Sequence, residues 1–122
     1  MPLSPNRPLA EESVTVPMTD SGTASTVYIG APFKGYVRRI MVTLGATPVT
    51  VANNTFTGKI AGNNITHDAL VQPFTGSAAG QVVSAACTSA NWVDEGQTIS
   101  VASDGAGSSV TPSAITVVIE RH

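Results

Sequence analysis

The chain has 122 residues, one cysteine and a formal net charge of −2, and only 11% of its residues are charged. That length sets a single domain with a core of its own. The lone cysteine excludes an internal disulfide framework, and the weak acidic balance excludes the electrostatic footprint of a nucleic-acid or anionic-membrane binder.

Residues 1–12, MPLSPNRPLAEE, hold prolines at 2, 5 and 8 and no apolar periodicity, which reads as an extended arm. Pro5, Arg7 and Pro8 are the residues such an arm would dock on a neighbouring subunit; the plainer reading is an unfolded tail. The segment lacks the basic and apolar regions of a signal peptide, so Sec-type export is not expected.

Residues 13–18, SVTVPM, alternate Val14 and Val16 with polar neighbours, and Pro17 assigns the strand to an edge or marks its end. TDSGTAS is a loop, and residues 26–29, TVYI, form a short strand stopped by Gly30 and Ala31-Pro32. Residues 34–45, KGYVRRIMVTLG, are the longest strand-like run. Alternation puts Tyr36, Ile40, Val42 and Leu44 on one face, with Val37, Met41 and Thr43 on the other. Arg38 and Arg39 are adjacent, so strict alternation sends one to each face. This predicts a central strand of a sandwich, part in the core and part at a contact surface.

Residues 46–54 carry V-T-V and the turn-prone Asn53-Asn54. Residues 55–61, TFTGKIA, place Phe56, Gly58 and Ile60 on one face, and Gly62-Asn63-Asn64 predicts a hairpin turn. Residues 65–71 fit either a return strand or a short helical turn. QPFTGSAAG is a loop expected to tuck Phe74 into the core. Residues 81–87 form a strand whose Val82 and Val83 suggest burial on both faces. Residues 89–96 connect, with Trp92 and the acidic turn Asp94-Glu95-Gly96. QTISVAS turns Ile99 and Val101 inward, DGAGSS is a loop, and SAITVVIER is the last strand, with Ile115, Val117 and Ile119 on one face. About eight short strands and no long helix predict an all-β, antiparallel β-sandwich, jelly-roll-like, with residues 13–122 as one domain.

Catalytic templates do not match. The acids lie at turns (Asp20, Asp94, Glu95, Asp104) or in the arm (Glu11, Glu12), where solubility and turn chemistry account for them. His67 and Cys87 are twenty residues apart and do not make a zinc set. Cys87 sits among small residues, as a buried structural thiol would. Loop calcium at Asp94-Glu95 or Asp104 has no EF-hand pattern behind it, and Asp104-Gly105-Ala106-Gly107 lacks the Lys-Ser/Thr ending of a phosphate cradle. No metal or cofactor and no enzyme activity is expected. The residues singled out are contact residues. Arg38 and Arg39 need partners, with Asp94, Glu95 or Glu120 available in the chain or a carboxylate on another subunit. Trp92 is either a core side chain or an interface anchor.

YIGAPFKGYVRRIMVTL (residues 28–44), FTGKIAGNNI (56–65), SAAGQVVSA, EGQTISVASDG (95–105) and SAITVVIER together resemble small virion proteins of tailed bacteriophages. These decorate the capsid as cement or head-fibre bases. The resemblance spans roughly residues 26–121. It implies a non-enzymatic β-sandwich or jelly-roll protein on the capsid exterior, trimeric, bound to the major capsid protein and stabilising the shell. The low charge, the proline-rich arm and the lack of a signal peptide agree with that. The alternative is a tail-fibre or carbohydrate-binding β-sandwich module. Such sites usually expose several aromatic rings, and most of the six in this chain fit the core.

Overall fold

The computed structural model describes residues 10–45, 49, 51–107 and 110–122. Two antiparallel sheets pack face to face. Seven strands are long: β1 (Glu11–Met18), β2 (Ser25–Gly30), β3 (Gly35–Leu44), β4 (Asn54–Ile60), β8 (Val82–Ser89), β10 (Thr98–Ser103) and β11 (Ser113–Arg121). Four two-residue strands complete the set: β5 (Asn63–Asn64), β6 (Thr66–His67), β7 (Val71–Gln72) and β9 (Trp92–Val93). The larger sheet runs β1-β11-β3-β8-β6 with β9 beside β3, and the smaller runs β2-β10-β4-β5 with β7 beside β4. Successive long strands alternate between the sheets, which is the connectivity of a jelly roll. The expected fold class is therefore the observed one. Its eighth strand is broken into β5, β6 and β7, because residues 63–72 cross from one sheet to the other and back.

Alternation builds the core. Ile115, Val117 and Ile119 of β11, Ile99 and Val101 of β10, and Phe56 and Ile60 of β4 all point inward and are buried. Pro17 lies on β1, an edge strand, where its missing N–H breaks no internal ladder. β1 begins at Glu11, so Glu11 and Glu12 belong to the sheet and not to the expected arm. Pro5, Arg7 and Pro8 lie outside the described residues.

The central strand departs from the expectation at one point. Val118 pairs with Arg39 but Ile119 pairs with Val37, so Arg38 is an extra residue in β3, a β-bulge against β11. Val37 and Ile40 are both fully buried, and the two arginines between them both face outward. The sequence expectation of one arginine per face is thus corrected, and with it the placing of Tyr36 and Val37, which exchange faces. Val37 joins Ile40, Val42 and Leu44 in the core, and Tyr36 lies outside with Met41 and Thr43. Sinking an unpaired guanidinium in the core costs several kcal/mol, far more than a bulge in one ladder.

Other corrections share a cause: a residue on a sheet's outer face or at a loop tip is not buried merely because it is apolar. Val82 is 54% exposed and Phe74 48% exposed. The hairpin after β4 turns at Ala61-Gly62, one residue earlier than expected; both have positive φ (49° and 83°), as a two-residue type I′ turn requires, so Asn63 and Asn64 pair back onto β4.

Candidate functional site

Because β9, β3, β11 and β1 lie side by side, register fixes one transverse row on the outer face of the larger sheet: Trp92, Tyr36, Glu120 and Glu11. Tyr36 and Trp92 meet edge to face with ring centroids 5.0 Å apart, and His122 closes on Tyr36 at 4.9 Å. Arg38, displaced outward by the bulge, lies over the Tyr36 ring at 4.7 Å. Its guanidinium grips Glu120 with two hydrogen bonds, Nε to Oε2 at 3.0 Å and Nη2 to Oε1 at 3.1 Å. His122 Nε2 lies 2.7 Å from the same Oε1.

The electrostatics follow from this geometry. The hydrogen bonds from Arg38, then the one from His122, hold the Glu120 carboxyl below its ordinary pKa, and burial opposes them. Glu120 in turn raises the Arg38 guanidinium further. Beside the cluster, Trp92 Nε1 donates to Asp94 at 3.0 Å, and Arg121 lies over Phe33 at 4.4 Å while pairing with Glu12 at 3.2 Å.

Of the residues singled out from sequence, Arg38 and Trp92 come together through Tyr36. Arg39 stands on the next row, paired in register with Val118 and Ala86, and makes no ion pair among the described residues. Glu120, one of three acids offered as an arginine partner, is the one that takes it; Asp94 serves Trp92 instead. Trp92 is 39% exposed, so it is a surface aromatic and not a core side chain. Tyr36 and His122 were missed. Tyr36 reads as one more residue of a strand face, and nothing local says that β9 and β11 flank it.

From this end the outer face continues across β1, β11, β3 and β8, with Arg39 the one charged side chain in the three rows that follow. Ser13, Val118, Arg39 and Ala86 form one row, Thr15, Thr116, Met41 and Ser84 the next, and Pro17, Ala114, Thr43 and Val82 the last. Thr15 and Thr116 hydroxyls meet at 2.9 Å, a neutral pair across the ladder.

Other groups that chemistry could use are occupied. His67 Nε2 accepts the Gly58 N–H at 3.1 Å while Nδ1 donates to the Asp68 carbonyl at 2.7 Å, so the ring stands in for a strand partner. Cys87 is buried, and its thiol is pushed up to about 11, by burial first and by Asp68 second. At the other end of β11, Ser21, Asn54, Gln72 and Ser113 form a buried polar network. Gln72 accepts from Ser21 (2.7 Å) and Asn54 (3.1 Å) and donates to Ser113 (2.7 Å), while Asn54 accepts the Gly107 N–H at 2.7 Å. Among the described residues no three of His, Cys, Asp or Glu converge as metal ligands would.

No family model and no curated protein matches the chain. Solved structures do. Over 93% of its length the chain is similar to part of the catalytic unit of a thermostable α-1,3-glucanase from Streptomyces thermodiastaticus, with a TM-score of 0.51 and 11% identity. Over 98% it is similar to part of a chain in the complex of Aeromonas sobria serine protease with a chaperone, with a TM-score of 0.53 and 9% identity. It spans 26% and 28% of those two chains. At such identities the likeness is one of fold alone.

Proposed function

We propose that this chain is a non-enzymatic structural protein of a virion, an oligomeric jelly roll, trimeric in its working form, that seats on the outer surface of the capsid and stiffens the shell. One observation carries the reading: the outer face of the larger sheet is broad from β1 to β8, carries a single charge, Arg39, over three successive rows, and ends in the Trp92–Tyr36–Arg38 cluster. Four strands of eight residues cover about 500 Å² at ordinary strand spacing. That area approaches the roughly 800 Å² each partner gives to a stable interface. Trp, Tyr and Arg are the residue types that anchor interface centres. The phage-like sequence segments of residues 26–121 supply the choice of virion over other assemblies.

The mechanism is area burial repeated many times. Each copy holds the major capsid protein weakly, and linked copies on a lattice multiply the grip. Mass in solution by light scattering, with co-sedimentation on shells of the cognate capsid protein, tests the reading. A discrete oligomer that sediments with shells and raises their melting temperature supports it; a monomer that does neither overturns it. Met41→Lys, in the middle of the face and beside Arg39, is expected to weaken oligomer or shell binding at least about ten-fold, because it buries a second like charge with no partner.

A further inference from the structure

The outer face of the smaller sheet has a different chemistry. Register places Tyr28, Ser100, Lys59 and Asn64 in one row across β2, β10, β4 and β5. Thr26, Ala102 and Thr57 form the neighbouring row. Tyr28 is 70% exposed, the most exposed aromatic among the described residues. Two shallow troughs, of about 460 and 400 Å³, meet at Lys59 and Ala102. Tyr28 and Thr98 line the first, and Thr57 and Asn64 the second. Lys59 makes no ion pair among the described residues. Asp104, at the far end of the second trough, spends its Oδ1 on the N–H groups of Thr55 (3.0 Å) and Ala106 (3.1 Å).

We infer that this face is a binding site for an acidic oligosaccharide, with Tyr28 stacking beneath one sugar ring and Lys59 receiving a carboxylate. A sugar ring offers C–H groups on its flat faces and hydroxyls around its rim. A bare phenol ring flanked by threonine and serine side chains, with Asn64 at the far end of the same row, answers both. From β2 to β4 is about 10 Å and to β5 about 14 Å at ordinary strand spacing, the reach of a short linear oligosaccharide. The side chains stand on hydrogen-bonded strands, so little ordering is needed on binding. A single unpaired cation suits a carboxylate but not a nucleic-acid backbone, which needs several. The site lies on the opposite sheet from the proposed assembly face, so each reading stands or falls alone.

Amide chemical shifts of the labelled protein, titrated with tetragalacturonate and trimannuronate and in parallel with cellotetraose and laminaritetraose, test the inference. Shifts confined to β2, β10, β4 and β5, saturating with uronates in the micromolar-to-millimolar range, are expected. Tyr28→Ala should weaken uronate binding about ten-fold or more and Tyr28→Phe should keep it. Lys59→Met, which retains the aliphatic stem, should weaken uronates several-fold and leave any neutral binding unchanged. Unchanged melting temperatures confirm that these substitutions, at exposed Tyr28 and half-buried Lys59, spare the fold. No shift with any sugar at about 10 mM, shifts elsewhere on the surface, or indifference to Tyr28→Ala overturns the site. Equal response to neutral and acidic sugars overturns the acidic assignment.

Discussion

Glu120 shows how one side chain can join a strand end to its surroundings. It ties Arg38 and His122 to β11, and its carboxyl titrates below its ordinary range because Arg38 and then His122 hydrogen-bond to it. A depressed carboxyl pKa contributes stability that is fully present above the unfolded value, about 4.3, and is lost as pH falls through the lower folded value. Glu120→Gln is therefore expected to flatten the acid side of the melting-temperature profile between about pH 5 and pH 2, relative to the parent chain. Asp20 contributes in the same sense, held low by the N–H of Thr111 and the hydroxyl of Thr23, so the flattening should be partial. At Cys87, burial and a raised pKa predict almost no reaction with a thiol-exchange reagent at pH 8 until denaturant is added. Fast modification of the native protein would contradict that prediction. These are properties of neighbours, and none of the neighbours is adjacent in sequence.

At the scale of elements, two backbone sites carry the sharpest expectations. Gly35 begins β3 beside the bulge, and a Cβ there would sit 2.0 Å from the Glu120 carbonyl oxygen. The backbone cannot yield without opening the β3–β11 ladder. Gly35→Ala should thus cost about 2–3 kcal/mol in urea unfolding, as overpacking in a dense interior does. The turn after β4 points the other way. Ala61 adopts φ 49° in a position where Asn is better tolerated, and its side chain is exposed. Ala61→Asn should raise stability by several tenths of a kcal/mol, up to about 1, by completing an Asn-Gly type I′ turn. Alternation made strands β3, β4, β10 and β11 legible in the sequence, because each must bury one face. The bulge was not legible. Two adjacent arginines signal a conflict with alternation, but only the partner strand's register shows how the chain resolves it.

Across the whole molecule, the two ends of β11 serve different purposes. Ser113 enters the buried network with Ser21, Asn54 and Gln72, which stitches both sheets and the loop at Gly107 together. Removing one member leaves its partners buried without hydrogen bonds, so Gln72→Ala should cost about 2–4 kcal/mol, read as a lower urea midpoint at unchanged slope. The other end carries the Trp92–Tyr36–Arg38–Glu120 cluster and meets solvent. Charge reversal at Arg38 or Arg39 is expected to weaken assembly more than it lowers the melting temperature of the isolated domain. Equal losses in both, or no loss of assembly, would reduce these arginines to scaffold.

Fold class was readable from residue pattern alone. Period-two alternation, turn residues at short intervals and the absence of helical periodicity leave a two-sheet sandwich as the way to bury the apolar faces. The inward residues of β4, β10 and β11 followed directly, since their burial depends on local alternation. What the tertiary structure decided is whatever depends on which strand lies next to which. It brought Trp92, Tyr36 and Glu120 into one row and Tyr28, Ser100 and Lys59 into another, from segments far apart in the chain. It also left four of the six aromatic rings outside the core, where the sequence had placed most of them inside. The reason is physical: alternation states which side of its own strand a residue occupies, whereas register and sheet order, set by long-range packing, determine what it meets there.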